Sequence, residues 1–155
     1  MSFQISSLPS ARFSHLFGKS GDELRAEGVV VKTANAKPGF PCRVTLCDAE
    51  PGERMLLLNF EHQDAPTPYR SSHAIFVIDG AQEAALAPSE VPEQLRSRLL
   101  SVRAFSADGM LLDANLVEGA AAPEVFEQML RNKRAAYLHV HFAKFGCYAA
   151  RVDRT

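Results

Sequence analysis

The chain has 155 residues, of which 46% are hydrophobic and 23% charged: enough for one folded domain with its own core, and too apolar for a disordered segment. A net charge of −1 removes the broad positive field that nucleic acid or an anionic membrane would require, so neither partner is expected. Three irregularly spaced cysteines make no disulfide framework, no apolar run approaches the ~18 residues of a membrane span, and the N-terminus lacks a signal-peptide pattern. The expected address is the cytoplasm.

In chain order, residues 11–17 place Phe13, Leu16 and Phe17 on one side of a predicted helix. Ser20 and Glu23 match a capping box, which opens a short helix through about Ala26, with Gly28 closing it. Val29 begins a strand-rich portion. Residues 43–47 and 55–60 flank the Pro51-Gly52 turn signal and are expected to pair as a hairpin. Residues 73–78 are nearly all apolar and read as a central strand covered on both faces. Residues 81–92, rich in Ala and Pro, read as a loose connection.

Residues 98–106 and 110–117 bracket Asp108-Gly109, the strongest short hairpin signal in the chain. Pro123 suits the first turn of a helix whose apolar stripe is Val125, Phe126, Met129 and Leu130. Six basic residues against Asp153 alone then make residues 131–154 a locally basic end.

That end is also the most informative stretch. Alternation puts His139 and His141 on one face of a strand and Leu138, Val140 and Phe142 on the other. A three-residue Lys144-Phe145-Gly146 loop pairs Ala143 with Cys147, His141 with Ala149 and His139 with Arg151. The register sorts His139, His141, Cys147 and Arg151 onto one face, with Tyr148 and Ala150 among the apolar residues of the other. The expected fold is a single α+β domain: a mainly antiparallel sheet, open or half-closed into a barrel, with two or three short helices.

Three functional readings follow. The first is a pocket for a small anionic molecule, in which Arg70, Arg103 and Arg151 hold the anion and Tyr69, His73 and His141 orient it; guanidinium forks match carboxylates and phosphates. The second is a metal-dependent enzyme using the pair His139 and His141 with Cys147, or with a third ligand from His62, His73 or Cys42, and hence a transition-metal cofactor. The third is a non-catalytic interaction or scaffold protein. Gly18-Lys19-Ser20 is no phosphate loop, because Phe13 stands where that loop needs glycine.

Phe40-Pro41-Cys42-Arg43, residues 68–77, residues 101–105, His139-Val140-His141 and residues 146–151 together resemble a bacterial family catalogued as domain of unknown function 1203. The resemblance implies a small single-domain protein and carries over no catalytic residue.

Overall fold

The computed structural model describes residues 2–155 as two antiparallel sheets with short helices around them. The strands are β1 (Phe3–Ser6), β2 (Val30–Thr33), β3 (Arg54–Gln63), β4 (Ser71–Ile78), β5 (Leu99–Phe105), β6 (Leu111–Glu118), β7 (Tyr137–Phe142) and β8 (Tyr148–Arg154). A five-stranded sheet runs in the order β1-β8-β7-β5-β6, and a three-stranded sheet in the order β2-β3-β4. Neither closes on itself, so the fold is α+β with open sheets rather than a half-closed barrel.

Helix α1 (Gly21–Ala26) begins where the sequence places it: the Ser20 side chain accepts from the Glu23 N–H and the Glu23 carboxylate accepts from the Ser20 N–H. A single turn, α2 (Glu93–Arg96), precedes β5. Helix α3 (Ala122–Leu130) carries Pro in its first turn and buries Phe126, Met129 and Leu130 against one face of the large sheet. That face supplies Leu100, Val102, Ala104, Leu138, Val140 and Phe142, and Phe3 meets Phe126 edge-on at 5.3 Å between ring centres. Full burial of a ring such as Phe126 contributes about 3 kcal/mol. With that face occupied by the core, the polar face of β5, β7 and β8 turns towards the small sheet.

Several expectations need correction. Residues 11–17 form two short 3-10 turns, Ser10–Arg12 and Ser14–Leu16, although Phe13 and Leu16 are buried as the stripe implies. Residues 43–47 are a tight turn and not a hairpin strand: the Leu46 N–H donates back to the Cys42 carbonyl, and the Arg43 N–H is spent on Phe76. The antiparallel partners of β3 are therefore β2 and β4. Strand β4 lies at the sheet edge and buries only Ile75 and Val77 among its residues, so it is not the doubly covered central strand. An unforeseen strand, β1, pairs with β8.

The terminal hairpin also departs from the expected register. His139 does pair with Arg151, but His141 faces Tyr148 and leaves Ala149 as an unpaired bulge. The Phe142 N–H donates to the Cys147 carbonyl at 2.9 Å, so the loop is one residue longer than expected, with Gly146 at φ 80°. A bulge lets one strand keep two registers. Beyond it, Ala150 and Val152 stay on the apolar face; before it, Tyr148 crosses to the histidine face.

Arg43 ties the two sheets together. Its guanidinium is 1% exposed and donates to the Tyr148 carbonyl at 2.7 Å, the Pro41 carbonyl at 2.6 Å and the Cys147 Sγ at 2.9 Å.

Candidate functional site

The polar face of the large sheet can be read from its register. On β5 and β7, Ser101 lies opposite His141, Arg103 opposite His139, and Phe105 opposite Tyr137. Arg151 and Tyr148 extend the His139 and His141 rows onto β8. From the small sheet, His73 on β4 pairs with Phe60, and Glu61 and Gln63 lie opposite Ser72 and Ser71. That leaves His62 as the extra, unpaired residue of a second bulge. Alternation keeps His62 on the face of Phe60 and His73, and the bulge lets Gln63 turn to the same side, where it reaches Tyr137.

The meeting of these two faces builds the site, and the Ala149 bulge adds Tyr148 to it. His62, His73 and His141 each bring one ring nitrogen into a group whose members all lie within 4.8 Å of one another. His62 and His73 stack with centres 4.8 Å apart, and His62 Nε2 lies 2.7 Å from His73 Nδ1. Tyr148 stacks on the His62 ring at 5.2 Å and meets His141 edge-on. His139 stands beside the group, its ring centre 6.1 Å from that of His62. Gln63 donates to the Tyr137 hydroxyl at 2.9 Å and pins the end of β3 to β7.

Hydrogen bonding fixes how His141 points. Its Nδ1 is 2.9 Å from the Gly146 carbonyl, which can only accept, so Nδ1 carries the proton and Nε2 presents a lone pair. His141 Nε2, His62 Nδ1 and His139 Nδ1 are all buried and have no hydrogen-bond partner in the protein. Buried polar atoms are rarely left so, because each costs about 1–3 kcal/mol.

Burial holds these rings neutral. It lowers His139 and His141 from 6.5 to about 3, helped by neighbouring positive groups that include Arg103, and lowers His62 to about 4 with His73 and Arg103 contributing. His73 is also lowered, first by burial and then by Arg103 and Arg43. Neutral imidazole is the ligand form of histidine.

These values set a pH dependence for the metal-free protein. The unfolded chain takes up protons near pH 6.5, while folded His139 and His141 refuse them until about pH 3. Stability is therefore full above pH 6.5 and falls as the pH drops through the window from 6.5 towards 3. Each buried ring contributes at most about 1.4 kcal/mol per pH unit. Urea melts should show the midpoint dropping between pH 7 and pH 5; an unchanged midpoint would mean that the rings protonate freely in the folded state.

A cavity of about 1220 Å³ adjoins the cluster, with His73, Arg43, Phe76, Phe142 and Cys147 on its wall. It is large enough for a small organic molecule. Its outer lining includes Phe145, 80% exposed, and Leu116, 68% exposed.

The residues singled out in the sequence are distributed unevenly. His73, His141 and Arg103 lie at or beside the cluster. Arg70 is exposed and paired with Glu61 at 3.0 Å, and Tyr69 is exposed beside it. Arg151 is held by Asp153 at 2.9 Å and lies over the Tyr137 ring. Cys147 leaves the histidine face, where the sequence put it, and receives a hydrogen bond from Arg43. His62, in the sequence only one of several alternative third ligands, is a member of the group; Tyr148 is the residue sequence reasoning did not place here, because it arrives through a bulge.

Two open antiparallel sheets clasping a partly buried histidine cluster define the class of this protein as α+β with a cross-sheet polar seam. The chain belongs to the family described as Protein of unknown function (DUF1203), whose model matches residues 39–154 and so spans the three clustered histidines and His139. No curated protein and no solved structure matches it. No helix among the described residues is long and apolar enough to cross a membrane.

Proposed function

We propose that this protein works through a transition-metal centre held by His62, His73 and His141, of the open kind that leaves one coordination position for water or substrate. The observation that carries the reading is the convergence of three neutral imidazoles from three strands, two of them with buried, unpartnered nitrogens. Tetrahedral coordination with bonds of about 2.05 Å puts ligating nitrogens about 3.3 Å apart, so small side-chain rotations suffice to close the group around an ion. The His141 Nδ1–H bond to Gly146 is the supporting contact that commonly orients a metal-bound imidazole and exposes its other nitrogen. A nitrogen-only set suits zinc, iron, copper or nickel rather than calcium or magnesium.

Chemically, a cation held by three neutral ligands keeps most of its charge. It can polarise a carbonyl or phosphoryl oxygen, or lower the pKa of a bound water to about 7. The adjoining cavity, with His73 on its wall, supplies access for a small substrate.

The test is the metal content of tag-free protein by plasma mass spectrometry, as purified and after equilibration with zinc, iron(II) or manganese. The expected result is close to one equivalent of a transition metal, removed by strong chelation and restored by re-addition. Protein that retains no metal under any of these conditions would overturn the reading.

A further inference from the structure

We propose that Arg103 and the three-histidine centre together bind one small oxyanion, a carboxylate or phosphate. The guanidinium would take two of its oxygens, or one edge, while the metal's remaining position takes an oxygen. The inference rests on the metal-centre reading and names the ligand class of that centre.

Charge around the centre points to such a ligand. Three neutral imidazoles bring no negative charge to the ion they hold, and no carboxylate belongs to their group. Arg103 projects from the same sheet face, two residue pairs along from the Ser101–His141 pair and directly opposite His139. A divalent ion beside a fixed guanidinium repels it, and water does not fully screen the pair in a half-buried seam. A bridging anion turns that repulsion into two attractions.

The other charged groups around the seam are already committed. Arg151 is paired with Asp153, Arg70 and Glu61 with each other, and Arg43 spends its guanidinium on two carbonyls and the Cys147 sulfur. Among the described residues Arg103 makes no ion pair; its side-chain partner is the Ser101 hydroxyl, at 3.3 Å. It is half-buried, so it is neither freely solvated nor neutralised. A planar fork in that state fits the bidentate recognition of carboxylate or phosphate.

Cobalt(II) is the probe, because its visible spectrum responds to a change in its ligands. The full chain is loaded with cobalt and titrated separately with inorganic phosphate and with oxalate; the two arms separate phosphate from carboxylate preference. The expected result is a saturable spectral change with at least one anion. In Arg103→Gln the anion affinity should fall by about tenfold or more, the scale of losing a charge-assisted contact, with cobalt stoichiometry unchanged. Arg103→Lys, which keeps the charge and loses the fork, should fall between the two and serves if the glutamine variant does not fold. Cobalt uptake without any anion response, or a response that both Arg103 variants retain in full, would overturn the oxyanion site alone. Failure to take up cobalt would overturn the metal centre, and this inference with it.

Discussion

His62→Gln, His73→Gln and His141→Gln are each expected to weaken transition-metal binding by more than the ~10–100-fold that follows loss of a mere supporting contact. His139→Gln, beside the group, should leave the stoichiometry unchanged, as should His15→Gln on the exposed 3-10 turn. The reason is placement. His62, His73 and His141 bring their ring nitrogens within 4.8 Å of one another, whereas His139 lies to one side and is not a member. A centre built on the strand pair His139 and His141 predicts a different pattern, in which His139→Gln abolishes binding and His62→Gln spares it. Competition with a chromogenic chelator measures both the affinity and the stoichiometry. Circular dichroism of each metal-free variant separates a lost ligand from a lost fold.

Arg43→Leu is expected to destabilise the protein by about 2–5 kcal/mol, chiefly the cost of two buried carbonyls that lose their donors. The substitution leaves the Tyr148 and Pro41 carbonyls buried without their donors, at about 1–3 kcal/mol each, and adds an imperfectly filled space where the guanidinium lay. For a chain of this length such a loss lowers Tm by about 10 °C. Because Arg43 holds the backbone of Tyr148, and Tyr148 packs on His62 and His141, metal affinity should fall as well, with stoichiometry kept at low temperature. Urea melts of metal-free protein measure the stability. A change below about 1 kcal/mol would mean that the sheets are not joined through this residue.

Local signals in the sequence were faithful where the chain obeys simple periodicity. The Ser20–Glu23 capping box, the Asp108-Gly109 turn with Gly109 at φ 85°, and the buried stripe of α3 all appear at the expected positions. The alternation in Phe3-Gln4-Ile5-Ser6, matched by alternating burial, is a strand signal too short to stand out beside the longer runs. Residues 43–47 misled because an apolar, β-branched composition fits both a strand and a tight turn whose side chains are buried.

The site was only half legible for a related reason. His139 and His141 share a face by strand periodicity alone. Their partner His62 follows Phe60 by two and shares its face by the same periodicity, but no local pattern encodes that this face of β3 meets the histidine face of β7. The same holds for Tyr148, carried to the histidine face by Ala149 dropping out of register. Contact between the two sheets is a tertiary fact. Sequence spacing shows which histidines share an element, not which elements meet.

The most direct measurement is anomalous diffraction at the zinc edge from crystals of zinc-loaded protein. One strong peak is expected between His62, His73 and His141, about 2.0–2.1 Å from one ring nitrogen of each. A peak on His139 and Cys147 instead, or none in crystals grown from protein carrying one equivalent of zinc, would contradict the three-histidine centre.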